Sequence, residues 1–180
     1  NIQYDATTDS KITINTGKSQ KAQWQAYNDI LFNKSKSEWK NNGTQYMRWV
    51  AGHDIKLAAN TQANWTVEGT SAKGIWRAGN TIELASPVTT TWKSTSGTNN
   101  QMGWQAAQDI KSLGGWTSTW ESDADGSDAW FEAGRDIYIN APATVDWKTK
   151  KSGNLRWMAK RDIKVINPTT SFTWANGTGT

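Results

Sequence analysis

Along this chain, apolar and polar residues alternate at period two in short stretches, the mark of half-buried β-strands. In the stretch around residue 49, Met47, Trp49 and Ala51 share one side. Ile55 and Leu57 do so in the next stretch, and Ala63, Trp65 and Val67 in a third. The same phase returns near the C-terminus in Leu155, Trp157 and Ala159, then Ile163 and Val165, then Phe172 and Trp174. One segment departs from it. Trp130-Phe131-Glu132-Ala133 carries an extra residue, which predicts a phase shift of the kind a β-bulge makes. Three kinds of break separate the strands. Gly52, Gly79 and Gly134 follow a small Ala at the first corner; Asn60, Pro87, Pro142 and Pro168 mark the second; Gly43, Gly69, Gly97, Gly126 and Gly153 mark the third. Such residues permit positive φ or stop a strand.

The three-strand unit repeats with a period of about 27 residues. Its first tryptophans are Trp24, Trp49, Trp76, Trp104, Trp130 and Trp157; its second are Trp39, Trp65, Trp92, Trp120, Trp147 and Trp174. Between them stand Ile30, Ile55, Ile82, Ile110, Ile137 and Ile163. Each isoleucine except Ile82 follows an aspartate: Asp29, Asp54, Asp109, Asp136 or Asp162. Of the thirteen tryptophans only Trp116 falls outside this scheme. Three short strands and three corners in fixed order predict an all-β fold, a right-handed parallel β-helix with one repeat per rung. Rungs begin near residues 24, 49, 76, 104, 130 and 157, after a partial rung over 1–23, within a single domain spanning 1–180. At an interstrand spacing of about 4.8 Å this prism is roughly 30 Å tall. Like residues stack on like, with two inward tryptophan ladders and one of isoleucine. The aspartates line one edge, where an Asx side chain can cap backbone N–H groups. A competing geometry comes from Trp147 to Trp157, which also reads as an antiparallel hairpin; a meander or barrel of such hairpins has the same period.

Composition agrees with a β architecture. Charged residues make up 20% of the chain, and abundant Asn, Thr, Ser and Gly disfavour helices. There is no cysteine, which excludes a disulfide scaffold and thiol catalysis. No apolar run approaches a membrane span. The net charge of +4 sits in the last third. There Arg135, Lys148, Lys150, Lys151, Arg156, Lys160, Arg161 and Lys164 face only Glu132, Asp136, Asp146 and Asp162. Seven of these, Lys148, Lys150, Lys151, Arg156, Lys160, Arg161 and Lys164, form a candidate patch for an anionic ligand; the plainer reading is a solvated face.

Other candidate chemistry is sparse. Asp123, Asp125 and Asp128 surround Gly126 in a turn that resembles the start of a calcium loop, the one cofactor the residues suggest, though no bidentate Glu follows at EF-hand spacing. His53, the single histidine, reads as a solvated corner residue. Ser/His/Asp sets, metal-ligand spacings and phosphate loops are missing, so no catalytic residue is assigned. Outward-facing tryptophans would make a sugar-binding platform, but their phase matches Ile, Ala, Val and Leu, which places them in the core.

Ala51-Gly52-His53-Asp54-Ile55-Lys56-Leu57, Ala133-Gly134-Arg135-Asp136-Ile137-Tyr138-Ile139 and Ala78-Gly79-Asn80-Thr81-Ile82-Glu83-Leu84 resemble the Ala-Gly-x-Asp-Ile-x-Leu pieces of filamentous-haemagglutinin-like repeats. Those repeats belong to large bacterial adhesins secreted by the two-partner route. The resemblance implies a right-handed β-helix shaft, extracellular or at the cell surface, without catalysis. The expected function is a structural or adhesive module, either shaft or stacking filament subunit; a carbohydrate-binding module is the alternative. Expected partners are further copies stacked end to end, or cell-surface glycans, with no nucleic acid.

Overall fold

The computed structural model describes residues 1–17 and 19–177. These residues contain eighteen strands and no helix, so no helix is long and apolar enough to cross a membrane. Strand β1 (Ile2–Thr16) runs along two faces of the first, partial rung. Six full rungs follow. Their first face is built by β2 (Ala22–Ala26), β4 (Tyr46–Ala51), β7 (Lys73–Ala78), β10 (Gln101–Ala106), β13 (Ser127–Ala133) and β16 (Gly153–Ala159). The second face carries the start of β3 (Ile30–Asn41), then β5 (Ile55–Ala58), β8 (Ile82–Leu84), β11 (Ile110–Ser112), β14 (Asp136–Ile139) and β17 (Asp162–Val165). The third takes the remainder of β3, then β6 (Thr61–Val67), β9 (Val88–Ser94), β12 (Trp116–Ser122), β15 (Ala143–Thr149) and β18 (Ser171–Asn176).

Every pairing between these strands is parallel, and each joins equivalent strands of successive rungs. The fold is therefore a parallel β-solenoid, and the antiparallel meander is excluded. Register follows the repeat. Trp49 lies opposite Trp76, Ile55 opposite Ile82 and Trp65 opposite Trp92.

Strand alternation turns every second side chain inward, and the interior is largely aromatic. Trp49 and Trp76 stack at 4.6 Å and 8°, Trp65 and Trp92 at 4.8 Å and 16°. The two ladders meet edge to face, as Trp49 and Trp65 do at 5.4 Å and 79°. Ile30, Ile55, Ile82, Ile110 and Ile137 close the remaining side and are buried. Polarity enters this core at a cost. The indole Nε1 groups of Trp39, Trp49, Trp65, Trp76, Trp92, Trp104, Trp120 and Trp157 are buried without a hydrogen-bond partner. Each orphan donor costs about 1–3 kcal/mol. Burying an indole removes about 150–250 Å² from water, worth about 4–6 kcal/mol, so burial wins. Edge-to-face contact is also the arrangement in which an indole N–H can donate to a neighbouring ring. Two indoles find oxygen: Trp116 donates to Thr90 Oγ1 at 3.1 Å, and Trp147 to Ser118 Oγ at 3.1 Å.

The fifth rung corrects the sequence expectation. Strand β13 pairs with β10 and β16 without a register shift, so there is no bulge. Phe131, not Trp130, lies opposite Trp104 and Trp157 and occupies the ladder. Trp130 turns to the outer face and packs on Gly103, where a Cβ would stand 2.2 Å from the indole ring. Trp116, the tryptophan outside the scheme, is inside the core, 5.8 Å from Phe131 and 5.8 Å from Trp104. A large ring on the third face thus sits beside the smaller ring on the first.

The corner glycines also act differently from the expectation. Gly52, Gly79 and Gly134 do not adopt positive φ; a Cβ on each would lie 1.9–2.0 Å from a carbonyl oxygen of the preceding rung. Close stacking of corners favours glycine at these three, while Ala107 and Lys160 stand at the equivalent position of the fourth and sixth rungs. Left-handed backbone does occur at Asn60, Gly97 and Gly126, as turn chemistry anticipated. The third corner is braced from inside by two fully buried asparagines. Asn41 donates to Gln45 O at 2.7 Å and accepts from Gly43 N at 3.0 Å. Asn100 donates to Ser96 O at 2.8 Å and accepts from Ala72 N at 3.0 Å.

Candidate functional site

The first corner carries an aspartate directly before the inward isoleucine in every full rung except the third, where Thr81 stands. Stacking then sets each carboxylate beneath the backbone of the next rung. Asp29 Oδ1 accepts from Asp54 N at 3.1 Å, and Asp54 Oδ1 from Thr81 N at 2.9 Å. Asp109 Oδ1 accepts from Asp136 N and Asp136 Oδ1 from Asp162 N, both at 3.2 Å. Asn1 fills the same role in the partial rung, its Oδ1 accepting from Asp29 N at 3.2 Å. Inter-rung capping is what the aspartate ladder does.

At four corners the variable residue one position earlier, His53, Asn80, Arg135 or Arg161, reaches back to the aspartate of the rung below. Asn80 donates to Asp54 Oδ1 at 2.8 Å. Arg135 Nε donates to Asp109 Oδ1 at 2.8 Å and its Nη2 pairs with Oδ2; Arg161 holds Asp136 in the same forked way, with Nε to Oδ1 at 2.9 Å. Lys111 adds a second cation to Asp109 at 3.0 Å. The Arg135 guanidinium, helped by Lys111 and the Asp136 N–H, holds the Asp109 carboxyl well below the usual carboxylate range despite its burial. Arg161 likewise lowers Asp136.

At the corner joining the first two full rungs the variable residue is His53. Its Nδ1 lies 3.3 Å from Asp29 Oδ1 and 3.1 Å from Asp54 Oδ2. Among the described residues this is the one group of three or more His, Asp or Glu side chains whose donor atoms converge closely enough to share a metal ion. Reading His53 as a plain solvated turn residue missed this contact. The available signal was its position one residue before Asp54 and one period after Asn28-Asp29.

The other candidates are dispersed. Asp123 pairs with Lys150 at 2.8 Å, Asp125 accepts from the Ser152 hydroxyl, which lowers its carboxyl pKa, and Asp128 accepts from Asn154 at 2.8 Å. The three carboxylates of the candidate calcium turn therefore face three different partners. Nor do the C-terminal cations form one surface: Lys148 lies on β15, Arg156 on β16, Lys164 on β17, and Lys150, Lys151, Lys160 and Arg161 at corners. Lys148, Lys150, Arg161 and Lys164 are ion-paired to Asp146, Asp123 with Glu121, Asp136 and Asp162 respectively. Among the described residues Lys151, Arg156 and Lys160 have no acidic side chain within ion-pair reach. Of the tryptophans, only Trp174 is exposed, at the last rung.

Compared with protein-family models, curated proteins and solved structures, the chain matches none of them.

Proposed function

We propose that the chain is a non-catalytic structural module, a length of stiff extracellular shaft in a large adhesin of the filamentous-haemagglutinin kind, or a subunit that stacks end to end into a filament. The observation that carries this reading is the uniform, in-register stacking of the rungs, which leaves the inward ladders unbroken from one rung to the next. Ile163, Val165, Phe172 and Trp174 continue the interior ladders, yet each is 39–48% exposed. Their strands present an open parallel edge in register with the repeat, and an open edge of this kind templates another strand. Uniform rungs support a non-catalytic role: the corners stay short, whereas a cleft needs long insertions. The Ala-Gly-x-Asp-Ile motif, in which each residue shapes the corner, supports kinship with adhesin shafts.

Negative-stain imaging of the purified chain tests the proposal. Filaments that lengthen as the protein concentration rises support end-to-end stacking; particles that stay at the size of a single copy, about 3 nm tall, at every concentration would sink the stacking reading. A carbohydrate-binding role is favoured by one feature, the exposed Trp174 beside Phe172. A glycan array tests that reading, with Trp174→Ala expected to abolish any signal that depends on it.

A further inference from the structure

Along the first-corner edge, cations and aspartates alternate. Arg135 sits between Asp109 and Asp136, and Arg161 between Asp136 and Asp162. Asp29 and Asp54 form a stacked pair that, among the described residues, no Lys or Arg contacts. In place of a guanidinium this slot holds the imidazole of His53.

We propose that Asp29, His53 and Asp54 form a binding site for one divalent transition-metal ion of the Zn²⁺ type, independent of the shaft reading above. Three observations carry it. First, the donor atoms are spaced for it: Nδ1 stands 3.3 Å and 3.1 Å from the two carboxylate oxygens. Ligands about 2.0–2.2 Å from a tetrahedral zinc stand roughly 3.3 Å apart. Second, the carboxylates are held in place. Asp29 Oδ1 takes the Asp54 N–H, while Asp54 Oδ1 takes the Thr81 N–H and the Asn80 amide, leaving Asp54 Oδ2 turned toward His53. Outer hydrogen bonds of this sort orient ligands in metal sites. Third, two carboxylates and one imidazole make a neutral complex with a divalent ion, and a mixed nitrogen and oxygen set suits zinc, whereas calcium takes six to eight oxygens. His53 is 61% exposed on its side chain, so the remaining coordination position opens to water. Bound there, the ion links the first two full rungs as Arg135 and Arg161 link later ones.

The experiment is a calorimetric titration of the untagged, chelator-stripped chain with ZnCl₂ alone, with melting curves in parallel. One equivalent should bind and raise the melting temperature, while CaCl₂ at the same concentration gives neither effect. His53→Asn places at this corner the residue that Asn28 and Asn80 already supply in adjacent rungs, so the fold is retained; affinity should drop at least about tenfold. His53→Arg should abolish zinc binding and raise the melting temperature of the metal-free chain, because it restores the pattern of Arg135. Asp128→Asn should leave binding unchanged. The proposal is overturned if zinc produces no saturable heat, or if His53→Asn binds it as tightly as the parent chain.

Discussion

Trp147 and Trp174 occupy the same position in successive rungs and stack at 5.7 Å and 9°, yet one is fully buried and the other 45% exposed. Ile137 and Ile163 differ in the same way, at 0% and 48%. The motif, register and strand are equivalent; what differs is whether a rung lies above. In a solenoid the rung does not own its core. Each inward ring is covered by the neighbours on both sides, so stability is a property of the stack. Central and terminal copies of one residue should then differ sharply in what they contribute.

The largest expected contrast is between alanine substitutions at two such copies. Trp76→Ala should cost about 3–5 kcal/mol in denaturant unfolding, because it opens a cavity between two rungs. Trp174→Ala should cost much less, since half of its ring already meets solvent. Equal losses would break the comparison. Next comes the outer face of the fifth rung. Gly103→Ala should destabilise by about 1–3 kcal/mol, the usual range for overpacking, as its Cβ meets the Trp130 ring. Removing that ring with Trp130→Ala should relieve most of the clash, whereas additive losses would show that the two positions do not touch.

At the first corner, Arg135→Gln should lower the melting temperature at neutral pH more than Arg161→Gln does. Asp109 beneath Arg135 is 2% exposed on its side chain, and Asp136 beneath Arg161 is 13%. The pH dependence follows from the direction of the shift. Asp109 is held below its unfolded value of about 3.9, so its contribution is complete above that pH and is lost as pH falls through the folded value. The gap between parent and Arg135→Gln should therefore be flat from neutral pH down to about 4 and close below it. A gap that widens on acidification would contradict the pairing. The smallest effect is expected for Trp92→Phe. Lost packing is offset by removal of an orphaned N–H, leaving a net change within about 1.5 kcal/mol by denaturant titration.

Most of the fold was legible in the residues because a stacked repeat writes its contacts at one period. The isoleucine and second tryptophan ladders, the three corners, the aspartate edge and the partial first rung all follow from spacing. The fifth rung did not, because its phase was counted forward from Trp130. Counted back from the corner, every first strand ends in aromatic-x-Ala: Trp104-Gln105-Ala106, Phe131-Glu132-Ala133, Trp157-Met158-Ala159. That spacing names Phe131 as the inward ring. Contacts between rungs were harder to see. His53 gains its second acidic neighbour only after Asp29 is stacked against it, and Gly79 lies close to a carbonyl 27 residues earlier, Gly52 O. The charge excess of the last third misled for a similar reason: stacking spreads those cations around the prism and pairs Lys150 with Glu121 and Asp123 of the preceding rung.

Parallel, in-register stacking is most directly tested by a cysteine pair, since the chain has no cysteine of its own. Thr91 and Thr119 are outward partners in β9 and β12, one repeat apart. Thr91→Cys with Thr119→Cys should form a disulfide under mild oxidation, whereas Thr91→Cys with Thr117→Cys, offset by two residues, should remain reduced. A crosslink that forms in the offset pair and not in the in-register pair would contradict the stack.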